Sequence, residues 1–348
     1  MIEGLDGLLE PTGQPGLSEL RGAIAQWLGA PRAEGRVVSE ERLNRAGSIN
    51  RVRFEVDGRS VSIVAKRSRA LAAQRNHLIV HRCLPAVGLR SGAAAILATA
   101  AERSGRYVWH VYEDLGERTL ETDRGPSAVR AAVRLLSAVH TRFIAHPLLA
   151  EARDLGGEFG PGFYRSSVRD AITCLDALPE SDRDRSDGRV AVRHRLLERL
   201  WALREQEHER TEAIAHLGGP ETLLHGDMWL KNVTVGQSGG RAHVRLIDWD
   251  HAGVGPLGYD LSTFAHRFCP DERDEVLELY RDALADAGWE LPSREELTYV
   301  FATFELGRLA NCVIWPALAA RDGVEGALEE LAMADDWLRS ADTAPDRS

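Results

Sequence analysis

From Leu223 to Asp250 the sequence twice runs an apolar strand into an acid, and that arrangement limits the folds open to the chain. The first pass is Leu223-Leu224-His225-Gly226-Asp227-Met228-Trp229-Leu230-Lys231-Asn232-Val233, and the second is Val244-Arg245-Leu246-Ile247-Asp248-Trp249-Asp250. Short apolar runs bounded by Gly and polar residues read as strands. The polar turn after the first sets Asp227 and Asn232 five positions apart, and the second strand ends in Asp248. Two carboxylates and a carboxamide gathered in this way suit metal-assisted phosphoryl transfer, in which hard oxygens hold a cation on phosphates and an acid orients the acceptor.

With 348 residues the chain is long for one core, so two packed lobes are expected. Hydrophobic residues at 44% beside 28% charged residues exclude a disordered or fibrous class. The acidic start Met1-Ile2-Glu3-Gly4-Leu5-Asp6 lacks the features of a signal peptide, and the weakly polar run Gly92 to Ala101 is too short to cross a bilayer. A cytoplasmic location without a membrane partner is therefore expected. Cys83, Cys174, Cys269 and Cys312 lie far apart without metal-ligand spacing, which reads as reduced, packed thiols. A formal charge of -10 argues against nucleic acid as the main partner. Residues 1 to 101 hold 14 Lys and Arg against 9 Asp and Glu. Either a basic nucleotide-handling part is joined to an acidic part, or the solvated surface is simply uneven.

Apolar positions Leu17, Leu20, Ile24, Trp27 and Leu28 have helical spacing. From Arg36 the texture turns to alternating and β-branched residues, with Asp57-Gly58 as a hairpin signal between Val56 and Val61. A helix is expected from about Ala70 to Leu84, stopped by Pro85, and Tyr107 to Tyr112 reads as a strand entering Glu113-Asp114-Leu115-Gly116. Beyond Gly116 helices are expected at Ser127 to Phe143, Val168 to Leu178, Arg189 to His216, Asp271 to Ala287, Arg294 to Leu318 and Val324 to Arg339. There, besides the apolar entry at Leu223, strands are expected only around Thr234 and Val244. The Gly-rich stretch Leu155 to Phe163 reads equally as a substrate lid or a plain connection. The expected organisation is a sheet lobe at 1–116, a helical lobe at 117–340 and a frayed tail at 341–348.

The wording His-Gly-Asp-x-x-x-x-Asn followed by Ile-Asp-Trp resembles the small-molecule kinases of the aminoglycoside phosphotransferase and choline kinase superfamily. The resemblance covers roughly residues 36 to 340 and is strongest at 223 to 261. It implies an α+β, protein-kinase-like bilobal fold, with an N-terminal antiparallel sheet lobe and a larger, mainly helical C-terminal lobe. By the same resemblance Asp227 orients and deprotonates an acceptor hydroxyl, Asn232 and Asp248 hold magnesium, and His225 fixes the loop. The stretch Gly253-Val254-Gly255-Pro256-Leu257-Gly258-Tyr259-Asp260-Leu261 resembles the family's Gly-x-Pro and Tyr-Asp-Leu, which makes Asp260 a support for the loop backbone. Only eleven residues separate Asp248 from Asp260, too few for the segment with which protein kinases dock peptides, so a small-molecule acceptor is favoured.

On the nucleotide side, Gly47, Ser48 and Asn50 stand in a turn before a strand, where amides and small side chains could cover phosphates. Lys66 ends an apolar strand, and in the resembled family a lysine there contacts the nucleotide phosphates. Backbone groups near Glu113 and Leu115 resemble the hinge that meets the base, ATP being expected and GTP left open. One departure stands out: no Asp or Glu lies between Lys66 and Glu102, so the following helix offers Lys66 no acid. Gln74, Asn76 or His77 could take that place, an acid could arrive from elsewhere, or the phosphate contact could be weaker than usual. Trp229 and Trp249 read as packing or as faces for an acceptor, and Asp250, Glu305, Asp335 and Asp336 are acids that could face a cationic one. The function implied is an ATP- and magnesium-dependent phosphotransferase acting on a hydroxyl of a small metabolite or aminoglycoside-type antibiotic. The alternative is a nucleotide-binding regulatory module with little catalysis. Oligomeric state is not legible.

Overall fold

The structure is a computed structural model and describes residues 2–30, 32–178 and 189–342. Of the expected tail, residues 343–348 lie outside the described residues. The chain opens with β1 (Ile2–Glu3), α1 (Leu17–Trp27), β2 (Gly35–Arg42), β3 (Ile49–Val56) and β4 (Arg59–Arg69). Next come α2 (Ala70–Leu78), a π-helical turn (Ile79–Cys83), α3 (Leu84–Ala86), β5 (Ile96–Ala101) and β6 (Tyr107–Glu113). These strands form one six-stranded sheet in the order β1-β2-β3-β4-β6-β5. All its neighbours are antiparallel except β1 and β2.

Alternation explains the sheet. Val52, Phe54, Ile63, Ala65, Trp109 and Val111 are buried on one side, together with Leu20 and Ile24 of α1. Full burial of each large apolar side chain contributes roughly 1.5–3 kcal/mol. The β3–β4 turn is the two-residue Asp57-Gly58, with φ of 48° and 73°, as a primed hairpin turn requires.

The helix expected to stop at Pro85 does not stop there. At the π-helical turn the Leu84 amide donates to the Ile79 carbonyl five residues back. Pro85 then stands at the start of α3, where its missing N–H costs no intrahelical bond.

Past Gly116 the elements are α4 (Pro126–Phe143), α5 (Leu149–Leu155), β7 (Gly157–Glu158), α6 (Pro161–Asp176), α7 (Arg189–Glu205), α8 (Glu207–Leu217) and β8 (Glu221–Leu224). They continue with β9 (Val233–Ser238), β10 (Arg241–Leu246), β11 (Gly253–Pro256), α9 (Gly258–Ala265), α10 (Pro270–Ala285), α11 (Arg294–Arg321) and α12 (Ala327–Asp342). The Gly-rich stretch carries β7 and then Pro161, which starts α6 earlier than expected because Pro suits the first helical turn. The helix expected over 189–216 is two, divided at Gln206. Strands also exceed expectation, since β11 joins β7 and β8 in a three-stranded sheet. Built from Gly-Val-Gly-Pro, β11 has no alternation to betray it.

Two compact units account for the described residues. The first combines those of Met1–Arg142, Ala150–Gly156 and Trp229–Ala252; the second combines those of Phe143–Leu149, Gly157–Met228 and Gly253–Ser348. Among the described residues no helix is long and apolar enough to cross a membrane.

Candidate active site

Within the first unit a cleft of about 760 Å³, open solvent included, lies among β3, β4, the end of β6 and the end of β10. Val64, Val80, Ala94 and Leu246 give it apolar walls, and Lys66 and Asp248 give it charge. At its edge the hinge is held in place. The Glu113 amide donates to the Ala95 carbonyl at 3.0 Å, and the Glu113 carboxylate pairs with Arg245 at 2.5 Å. Asp114 accepts from Arg51 Nε at 2.9 Å, from Ser62 Oγ at 2.6 Å and from the Gly116 amide at 3.0 Å. Leu115 also lines the cleft, and among the described residues its backbone N–H and C=O make no hydrogen bond.

Lys66 finds its acids across a gap of 182 positions. Its Nζ stands 2.7 Å from Asp248 Oδ1 and 2.9 Å from Asp250 Oδ2. Burial works against the ammonium, but Asp248 and then Asp250 outweigh it and raise the Lys66 pKa above lysine's ordinary value. The helix after β4 therefore supplies no acid and instead supplies donors. Asn76 Nδ2 donates to Asp250 Oδ1 at 2.5 Å, and Arg75 donates to the Asp250 carbonyl. Of the neutral residues considered as partners of Lys66, Asn76 reaches it only through Asp250.

Asp248 takes a left-handed φ of 66°, a conformation that Asp tolerates better than most residues. The Ile247 amide donates to the Asn232 carbonyl at 3.0 Å, so buried Asn232 stands across the β9–β10 ladder from the residue before Asp248. A carboxamide and a carboxylate offer magnesium hard oxygen donors. Among the described residues no group of three or more His, Cys, Asp and Glu side chains gathers to hold a metal unaided. A donor pair of this kind suits magnesium, which takes one or two protein ligands and completes its shell with water and phosphate oxygens.

Gly47, Ser48 and Asn50 do not line the cleft. Asn44 Oδ1 accepts the amides of Ser48 and Ile49 at 3.0 and 3.1 Å, and Asn50 Nδ2 donates to the Gly47 carbonyl at 2.9 Å. The turn spends these groups on its own shape. Gly47 adopts φ 65°, which a turn this tight requires.

In the second unit, β8 delivers His225, Gly226 and Asp227. Asp260, near the start of α9 and fully buried, accepts the His225 amide at 2.6 Å and the Gly226 amide at 2.9 Å. His225 Nδ1 accepts the Asp227 amide at 3.3 Å, and Gly226 has φ 79°. Three consecutive amides are thus satisfied by two side chains, which fixes the backbone carrying half-buried Asp227.

The sequence matches the phosphotransferase enzyme family over residues 40–297. The chain belongs to that family. Among solved structures, this phosphotransferase is similar to the choline kinase LicA from Streptococcus pneumoniae, with 16% identity and TM-score 0.53 over 87% of this chain and 94% of that one. It is also similar to a spectinomycin phosphotransferase solved with ADP and spectinomycin, with 14% identity and TM-score 0.58 over 88% and 89%. A Plasmodium vivax ethanolamine kinase follows at 12% identity and TM-score 0.56, over 89% and 83%. At these identities the likeness is one of fold, and it establishes the kinase-like α+β architecture. No curated protein sequence matches the chain.

Of the two tryptophans read as packing or as faces for an acceptor, Trp249 is buried and packs, while Trp229 has Lys231 Nζ 5.6 Å from its ring centre. The acids considered for a cationic acceptor are already engaged: Asp250 by Lys66, Glu305 by Arg267 and Arg308, Asp335 by Arg195 and Arg199, and Asp336 by Arg339. Asn44, Arg51 and Arg267 escaped notice, each being an ordinary polar residue whose partners stand elsewhere in the chain. For Asp250 a signal existed, an acid two positions after Asp248 in a chain whose following helix has none.

Proposed function

We propose that this phosphotransferase moves the γ-phosphoryl group of ATP, with magnesium, to a hydroxyl of a small molecule. The observation that carries this reading is Lys66 Nζ at 2.7 Å from Asp248 Oδ1 inside a cleft bordered by Leu115. A raised lysine pKa keeps the ammonium charged for phosphate oxygens. Leu115 offers an amide and a carbonyl to the base, and Asn232 with Asp248 would hold magnesium. Bound there, the metal would neutralise charge on the phosphates.

Asp227 accepts the hydroxyl proton as the acceptor oxygen bonds to the γ-phosphorus, the bond to the bridging oxygen breaks and ADP leaves. In a loose transition state its contribution is mainly alignment, which explains why its backbone is so fully tied. The regulatory reading was motivated by a lysine without an acid, and Asp248 with Asp250 removes that motive.

Two variants separate these roles. Asp227→Asn is expected to keep magnesium-nucleotide affinity within a few-fold while turnover falls roughly 100-fold or more. Asp248→Ala is expected to abolish the magnesium dependence of nucleotide binding. Isothermal titration with MgATP and γ-phosphate transfer assays measure both, and equal loss of binding in the two variants contradicts the assignment.

A further inference from the structure

One face of the first sheet carries a row of polar groups to which the reaction above gives no role. In the β4–β6 ladder Lys66 stands opposite His110 and Val64 opposite Tyr112, so period-2 alternation sets all four side chains on one face. Ile63, Ala65 and Val111 point the other way, into the core. Val64, Lys66 and Tyr112 line the cleft together with Asn76 of α2.

Hydrogen bonds join this row to Lys66 by way of α2. The buried Asn76 amide donates from Nδ2 to the Ala72 carbonyl at 3.1 Å and to Asp250 Oδ1 at 2.5 Å, and its Oδ1 accepts the Tyr112 hydroxyl at 3.3 Å. Two oxygen acceptors at Nδ2 fix which way the amide faces, since its own oxygen could bond neither. His110 Nδ1 lies 3.2 Å from the same hydroxyl. Tyr112 spends its one proton on Asn76, so the His110 ring holds its proton on Nδ1 and donates. Burial, with His77, Lys66 and His81 close by, pulls the His110 pKa down to about 4, which leaves the ring neutral with that one proton at neutral pH. Asp250 Oδ2 in turn stands 2.9 Å from Lys66 Nζ. The chain runs His110, Tyr112, Asn76, Asp250, Lys66, and every proton in it points toward the Asp250 carboxylate.

Lys66 Nζ is shared between Asp248 and Asp250, and Asp250 holds its place because Asn76 occupies its other oxygen. A carboxylate free to turn would leave the ammonium to Asp248, the residue that magnesium would take. Among the described residues no other donor reaches Asn76 Oδ1, so loss of the Tyr112 hydroxyl frees the amide, and Asp250 with it. Resting on the phosphoryl-transfer reading above, we propose that Tyr112 is a positioning residue for the nucleotide phosphates: through Asn76 its hydroxyl holds the Asp250 carboxylate on Lys66 and so fixes where the ammonium meets them.

Tyr112→Phe keeps the aromatic ring in the cleft and removes only the hydroxyl. Isothermal titration of the full-length protein with MgATP and, separately, with adenosine reads a phosphate effect apart from a change in the shape of the cleft. MgATP affinity is expected to fall roughly 5-fold or more, while the affinity for adenosine, which has no phosphate, stays within about 2-fold. Asn76→Ala breaks the chain at its next link and is expected to show the same phosphate-selective loss, so the test stands even where one variant folds poorly. A double-mutant cycle identifies the route. In Asp250→Ala, where no carboxylate remains to be held, adding Tyr112→Phe is expected to weaken MgATP binding by less than about 2-fold more. Equal loss of MgATP and adenosine, an unchanged MgATP affinity, or losses that multiply in the cycle overturns the proposal. Where the unmodified protein binds MgATP and Tyr112→Phe binds it equally well, this inference alone falls; where the unmodified protein binds none, the phosphoryl-transfer reading falls with it.

Discussion

Lys66 shows how far a residue's chemistry depends on partners that its neighbours do not announce. An ammonium buried in a cleft loses hydration, and only charges of opposite sign keep it protonated. Asp248 alone would leave that balance thinner, and Asp250, held by Asn76 and Arg75, supplies the rest. Asp250→Asn removes one of the two acids and leaves burial acting against the other. The Lys66 pKa then falls, so the charge that the proposed phosphate contact needs is lost at lower pH than in the unmodified enzyme. Measured as MgATP affinity from roughly pH 7 to 10, the alkaline limb is expected to move to lower pH in Asp250→Asn. An unshifted limb shows that Asp250 does not set the lysine's charge. At this scale His225, Gly226 and Asp260 were legible because they lie in contiguous motifs. Asp250's partnership was not, because Lys66 and Asp250 meet only after folding.

At the scale of elements, the sheets were readable where alternation wrote them and opaque where backbone shape did. The β3–β4 hairpin follows from Asp57-Gly58 and the apolar positions beside it. By contrast β11 is legible only in space: a Cβ on Gly253 would lie 2.2 Å from the Gly157 carbonyl oxygen and 2.6 Å from the Phe159 ring. The glycine is there so that β7 and β11 can pair closely, and β11 then leads directly into the helix bearing Asp260. Gly253→Ala is expected to destabilise the protein by about 2–4 kcal/mol, because the clash is with backbone that cannot swing aside. Gly22→Ala makes the same chemical change inside α1, where nothing stands within 4 Å. There the gain in helix propensity is expected to stabilise by about 0.5–1 kcal/mol. Urea midpoints of the two variants measure the contrast, and a neutral Gly253→Ala would mean that the β7–β11 pairing yields easily. The π-helical turn was similarly hidden, since a register change of one hydrogen bond leaves no mark in residue periodicity.

For the molecule as a whole, the first unit is not a contiguous piece of chain. Its cleft takes Ile49 and Lys66 from the first sheet, Leu115 from the hinge, and Leu246 and Asp248 from a hairpin more than a hundred positions later. Sequence texture separates a sheet-rich beginning from a helix-rich remainder but carries no trace of such long-range association, which depends on tertiary contact. A ligand that binds the assembled cleft should therefore stabilise segments remote in sequence together. At a hundred times its Kd it contributes about 2.7 kcal/mol against opening of whatever forms its site. Hydrogen exchange with saturating MgATP is expected to slow in β3, β4 and the hinge, and equally in β9–β10. Chelation of the magnesium with EDTA is expected to release β9–β10 most, because Asn232 and Asp248 flank that hairpin and would lose the cation while Lys66 and Leu115 keep the nucleotide. Protection confined to the N-terminal strands, or indifferent to the metal, would place the nucleotide away from Asp248 and undo the role proposed for it.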